Sequence, residues 1–168
     1  MLTCESDKLS GYEIFRKADI SGKTALIIST WFGVGLFPEA PGTLGTIAAI
    51  PFIILLDFAG KWYSTFFLIF LAAVGIWAAG RSQDLLGRKD PKEVVVDEVA
   101  GIFLTMCLLQ VSWLTLALGF AFFRIFDILK PYPIKRIEKF RGGFGIVMDD
   151  LFAGLYAFVA VKIVLYFI

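Results

Sequence analysis

From Val99 to Phe123 the chain reads VAGIFLTMCLLQVSWLTLALGFAFF, 25 residues without a charge. The hydrocarbon core of a bilayer takes about 20 apolar residues as a helix, within a range of about 17–25. The block can therefore cross once at a tilt, or fold into a hairpin about Gln110–Ser112. The flanking charges choose between these. Arg81, Arg88, Lys89 and Lys92 precede the block, and Arg124, Lys130, Lys135, Arg136, Lys139 and Arg141 follow it. Membrane proteins gather Lys and Arg on the cytoplasmic side. One crossing would part the two basic groups, whereas a hairpin keeps them together. A hairpin is expected, with helices near Val94–Leu109 and Trp113–Lys130.

Working outward, Trp62–Gly80 is an uncharged span of 19 residues, and Asp150–Ile168 is a further candidate span, with only Lys162 inside it. Thr43–Leu56 is shorter and wholly uncharged, with Asp57–Lys61 as its exit turn. Thr24–Phe37 is apolar but holds Gly33 and Gly35 and stops at Pro38. It reads as re-entrant or interfacial, a conformation that membrane depth tolerates only where protein packs around it. The expected fold class is an all-α integral membrane protein with about five transmembrane helices plus this segment near 24–37. Its amino terminus is inside and its carboxyl terminus outside. Of the 16 basic residues, only Lys61 and Lys162 then fall off the cytoplasmic side. Residues 1–23, polar with Tyr12, Ile14 and Phe15 among charges, read as an interfacial segment. Residues 24–168 read as one membrane-embedded catalytic domain.

Composition agrees with this reading and removes several function classes. Hydrophobic residues are 58% and charged residues 18% of the chain, against about 45–50% apolar in soluble domains. Mean hydropathy is +0.80. A net charge of +1 gives no pull toward nucleic acid. There is no histidine, which removes histidine nucleophiles, Ser-His-Asp triads and histidine metal ligands. Cys107 lies in an apolar stretch, so neither a disulfide with Cys4 nor a zinc site is expected. The first 23 residues contain no apolar core of a signal peptide.

The acids collect on one side. Asp84, Asp97, Glu98, Asp127, Asp149 and Asp150 all fall at or near the cytoplasmic ends of the spans. VVVDEVAGIF (Val94–Phe103) and GGFGIVMDDLFAG (Gly142–Gly154) each place two adjacent acids beside apolar residues. DEVAG and DDLFAG share a faint echo, an acid pair with a glycine four residues past one member. Acids near a helix start can serve as dipole caps, but only one of two neighbours can be the N-cap. The alternative is ligation. Mg²⁺ takes oxygen ligands and often bridges to phosphate, and four carboxylates with Asp127 beside them suit one or two such ions. Such ions polarise phosphoryl oxygens and activate water. In FRIFDILKPYP (Phe123–Pro133), Arg124, Asp127 and Lys130 share a helix face. They form either a structural ion pair with a snorkelling lysine or part of the site.

FPEAPGTLGT (Phe37–Thr46) begins a helix with Pro41, Gly42, Thr43 and Gly45. Its free N–H groups suit an anion, and an ordinary proline–glycine turn with Thr43 as N-cap is the alternative. RGGFGI (Arg141–Ile146) is a linker or a close-approach loop. No P-loop, no cysteine-phosphatase loop, no DxDxT signature and no CDP-alcohol phosphotransferase spacing is present.

APGTLGTIAAIP, DLLG, VVVDEVAG, FFRIFDILKPYPI and GGFGIVMDDLFAG, in this order, resemble the phosphatidylglycerophosphatase A family. The resemblance covers roughly Thr24 to Ile168. It implies a Mg²⁺-dependent phosphatase of the bacterial inner membrane with its site toward the cytoplasm. Such an enzyme converts phosphatidylglycerophosphate to phosphatidylglycerol and inorganic phosphate, for phosphatidylglycerol and cardiolipin synthesis. On that basis Asp97, Glu98, Asp149 and Asp150 are expected as metal ligands. Asp127, with Asp97 and Asp149, is expected to be catalytic, and Lys130, Arg124 and Thr43 to bind phosphate. Partners are the lipid substrate and the bilayer, with oligomeric state left open. Two rival classes remain: a Mg²⁺-dependent lipid phosphotransferase, and a non-enzymatic divalent-cation transport protein.

Overall fold

The computed structural model describes residues 11–168, so Cys4, Lys8 and the rest of the segment before Gly11 lie outside the described residues. The described chain is helical throughout, without strands. Its elements are α1 (Gly11–Lys17), α2 (Ile20–Ser29), a 3-10 turn at Val34–Leu36, α3 (Pro41–Ala59), α4 (Lys61–Leu86), α5 (Val96–Met106), α6 (Trp113–Leu129), α7 (Ile134–Ile137) and α8 (Gly143–Phe167). Three of these, α3, α4 and α8, are long and apolar enough to cross a membrane. Their outer faces carry large apolar side chains such as Phe66, Ile69 and Phe70, each more than 60% exposed. Such surface is stable against lipid and costly against water.

The 25-residue apolar block is interrupted. Helix α5 ends at Met106, and α6 begins at Trp113 behind a capping box, in which Ser112 Oγ accepts from Thr115 N–H and Thr115 Oγ1 accepts from Ser112 N–H. The hairpin therefore replaces the single tilted span, although its turn is longer than Gln110–Ser112. At its tip Lys61 Nζ donates to the Leu109 carbonyl and pairs with Asp57. A cation thus meets a backbone carbonyl just past the end of α5, where the helix dipole is negative. Asp57 lies within α3, and the chain breaks at Gly60 (φ 111°), so the turn expected at Asp57–Lys61 is shorter than the sequence implied.

Helix α2 starts at Ile20, earlier than the expected Thr24, because Asp19 caps it by accepting from Gly22 N–H at 3.0 Å. At about 1.5 Å per residue its ten residues reach about 15 Å, half a bilayer core. The chain then reverses through three left-handed residues, Trp31 (φ 48°), Phe32 (φ 56°) and Gly33 (φ 93°). Thr30 Oγ1 accepts from Gly33 N–H to hold the turn.

The shortest hairpin helix, α5, is the centre of the bundle. It packs against α3, α4, α6 and α8, and Val99, Ile102, Phe103 and Met106 are almost wholly buried. In lipid, apolar burial gives little drive for helices to associate, so close packing through small residues supplies it. The α5–α8 crossing shows this. A Cβ on Gly154 would stand 2.2 Å from the Gly101 carbonyl oxygen, and one on Gly101 would stand 2.4 Å from Phe123. Thr105 Oγ1 bridges the crossing by donating to the Gly101 and Gly154 carbonyls.

Candidate active site

Asp97 stands four residues before Gly101, and Asp150 four residues before Gly154. The glycine crossing therefore sets these two acids one turn away on facing helices. That is the structural meaning of the DEVAG and DDLFAG echo. Glu98 joins them, and one carboxylate oxygen from each of Asp97, Glu98 and Asp150 lies within 4.8 Å of the others. Asp97 and Asp150 are buried and Glu98 is partly so.

The trio opens on a cleft of about 290 Å³ that also reaches Thr43, Arg124, Asp127, Lys130 and Asp149. Every residue expected at the site from sequence is on this cleft. Asp84 is not on it and lines a separate hollow with Arg88, Lys89 and Arg141. Asp90 and Lys92 on the α4–α5 loop also line the cleft. Nothing in their local pattern distinguished them from an ordinary charged loop.

Two basic side chains neutralise two of the five acids expected there from sequence. Arg124 Nη1 lies 2.8 Å from Asp127 Oδ2, one turn along α6. Lys130 Nζ lies 2.6 Å from Asp149 Oδ2 and 3.6 Å from Glu138. Lys130 leaves the helical path at φ 43°, in the left-handed region, so it faces Asp149 rather than Asp127. Burial opposes the charge on Lys130. The Asp149 hydrogen bond, with Asp150 and Glu138 behind it, outweighs burial and holds the ammonium above the usual lysine range. Asp149 also accepts from Asp150 N–H at 3.1 Å. The adjacent aspartates thus part company, Asp149 to the lysine and Asp150 to the trio.

Among the described residues Asp97, Glu98 and Asp150 have no ion-pair partner. Asp97 Oδ1 and Glu98 Oε2 are buried without any hydrogen-bond partner, as is Arg124 Nη1, whose contact with Asp127 lacks hydrogen-bond alignment. Converging buried carboxylates are costly unless a cation compensates them. Capping does not account for the α8 pair, because Asp149 and Asp150 lie nearly two turns inside α8. Asp97 and Glu98 are in the first turn of α5, yet no side chain caps that helix. The donors are all hard oxygens, which suit a divalent cation of the Mg²⁺ type.

Helix α3 closes the cleft from the front. Its N-cap is Ala40 (φ 45°), not Thr43, which lies within the first turn. No side chain caps this end, so the backbone N–H groups of its first turn are available to an anion. Gly42 lets the helix come close. A Cβ there would sit 2.0 Å from Glu98 Oε1.

Unneutralised carboxylates, with an arginine and a lysine beside them, gather at one end of a helical bundle in which three helices are long and apolar enough to cross a membrane. The chain belongs to the phosphatidylglycerophosphatase A family, whose model, Phosphatidylglycerophosphatase A, matches residues 27–165. It is 38% identical over 146 residues to the Haemophilus influenzae phosphatidylglycerophosphatase A, covering 83% of this chain and 88% of the relative. It is 36% identical over 132 residues to the Escherichia coli phosphatidylglycerophosphatase A, covering 77% and 76%. A Bacteroides thetaiotaomicron protein provisionally named phosphatidylinositol-3-phosphatase is 39% identical over 147 residues, covering 82% and 91%. No solved structure matches the chain.

Proposed function

We propose that this phosphatase hydrolyses the terminal monoester of phosphatidylglycerophosphate, with Mg²⁺ held by Asp97, Glu98 and Asp150. The observation that carries this is the buried trio of carboxylates without a cation, beside Arg124 and Lys130 in one cleft. The family of the chain and the names of two relatives support the substrate. Bound at the trio, the ion supplies positive charge and Lewis acidity to a phosphoryl oxygen.

The protein's own groups account for the remaining needs. Arg124 and Lys130 pair with the phosphate oxygens, and the open first turn of α3 with Thr43 adds hydrogen-bond donors. As Arg124 turns to the phosphate, Asp127 is released to orient a water and accept its proton. The water oxygen bonds to phosphorus, the bond to the glycerol oxygen breaks, and the leaving alkoxide takes up a proton from solvent, to which Asp127 returns the one it accepted. Asp149 keeps Lys130 aimed into the cleft, a positioning role.

The proposed topology has five crossings: α3, α4, the α5–α6 hairpin as two, and α8. Helix α2 lies at the interface, and residues 24–168 form one catalytic domain. The excess of Lys and Arg in the loops beside the cleft supports a site that faces the cytoplasm from a bacterial inner membrane. There the lipid's acyl chains stay in the bilayer while its head group reaches the acids. The product then enters anionic-lipid synthesis.

The test is phosphate release from phosphatidylglycerophosphate by purified protein in detergent, with Mg²⁺ or chelator, for wild type and Asp97→Asn. Release that needs Mg²⁺ and is lost in a folded Asp97→Asn variant is expected. No release from folded wild type with Mg²⁺ sinks the proposal. Faster release from phosphatidylinositol 3-phosphate would move the substrate to the class named by the Bacteroides relative.

A further inference from the structure

Two further cavities lie beside the catalytic cleft. The nearer, of about 120 Å³, shares Asp90 and Asp149 with the cleft and is lined also by Gln83, Lys89, Glu138 and Gly142. It shares Gln83, Lys89 and Gly142 in turn with an outer hollow of about 510 Å³ at the α4–α5 and α7–α8 loops. Three basic residues, Arg88, Lys89 and Arg141, line that hollow against one acid, Asp84. Arg88 is held by Glu93 at 2.8 Å. Lys89 and Arg141 have no ion-pair partner among the described residues.

We propose that this outer hollow is a second phosphate site, which receives the inorganic phosphate leaving the cleft. The inference rests on the phosphatase reading. Hydrolysis yields one product tied to the bilayer and one water-soluble anion. The lipid leaves sideways, so the ion needs an aqueous path with positive charge at its end. The adjoining cavities give that path its direction, and Lys89 with Arg141 supply the charge. Lys130 lines the cleft beside the wall they share, with Nζ 2.6 Å from Asp149 and 3.6 Å from Glu138. A shift of its flexible stem from the first acid to the second carries a bound anion in the outward direction.

The test is calorimetric titration of inorganic phosphate into the protein in phosphatidylcholine nanodiscs, with chelator present so that cleft metal adds nothing. Lys89→Gln/Arg141→Gln is compared with wild type. Neither residue belongs to the catalytic machinery, so initial lipid hydrolysis and the thermal unfolding midpoint should be retained. Phosphate affinity should fall by about tenfold or more, the scale of losing a charge-assisted contact. Affinity within about twofold of wild type, or no measurable binding to wild type at millimolar phosphate, overturns the proposal. Complete displacement of phosphate by phosphatidylglycerol nanodiscs would assign the hollow to a lipid head group and overturn the exit route. Because binding is read without turnover, failure here is distinct from failure of the substrate assignment.

Discussion

Asp149 and Asp150 adjoin in the chain and serve different partners, because successive helical residues point about 100° apart. The pattern DD shows that two acids are present at one depth, but it does not show that they meet different partners. Lys130→Met therefore removes the partner of a buried carboxylate. It is expected to cost about 3 kcal/mol of stability and to abolish hydrolysis. Adding Asp149→Asn should restore much of the stability without the activity, as denaturant titration and phosphate release on the same preparations would show. Gly42→Ala probes the other side of the cleft. Its methyl would press on Glu98 Oε1, 2.0 Å from the ideal Cβ. We expect a fall of about 10–100-fold in Mg²⁺ affinity with the unfolding midpoint nearly unchanged. A wild-type Mg²⁺ dependence in that variant would remove Glu98 from the ion.

At the scale of elements, the α5–α8 crossing ties packing to chemistry. Gly154→Ala places a methyl 2.2 Å from the Gly101 carbonyl. Overpacking of this kind costs about 1–3 kcal/mol, and here it also parts Asp97 from Asp150. Activity should fall by more than the stability loss explains. Ser112→Ala is the contrasting case. It removes the cap of α6 far from the cleft, at about 1 kcal/mol, and should leave kcat unchanged. Equal kinetic losses in the two variants would show that the crossing has no special link to the site. The hairpin was legible in sequence because charge on both sides of Val99–Phe123 demanded it. The turn at Trp31–Gly33 was not, since two bulky residues in left-handed conformation leave no composition signal. The opening of α2 was placed late because Lys23 resembles a boundary, although one lysine within a helix can extend its stem and keep its charge in water. Thr43 resembled a cap because threonine often is one, and only the backbone at Ala40 shows otherwise.

For the whole molecule, the polarity of the bundle follows from which helix ends meet. The starts of α3, α5 and α8 and the end of α6 border the cleft, while Lys61, Asp57 and Leu109 meet near the other ends of α3 and α5 and the start of α4. Single cysteines at Lys89 and at Trp113, in a chain with Cys4 and Cys107 replaced by serine and alanine, should react with an impermeant maleimide from opposite faces. Labelling of both positions in intact cells, or from the same face of oriented vesicles, would break the five-crossing reading. Activity of the cysteine-replaced parent guards against a misfolded background.

The brevity of α5 bears on how the chain is made. Eleven residues at about 1.5 Å each reach about 16 Å, roughly half the hydrocarbon thickness, so the turn residues between Met106 and Trp113 must complete the crossing, and two acids stand in the first turn of the helix. Emerging alone from the ribosome, such a segment is a poor candidate for partition into lipid. It becomes a good one when α6 follows and the pair enters as a unit, with Lys61 of the preceding helix already waiting to receive the tip. Biogenesis of the centre of the enzyme thus depends on segments made before and after it, and the order of synthesis sets when the acids can first meet.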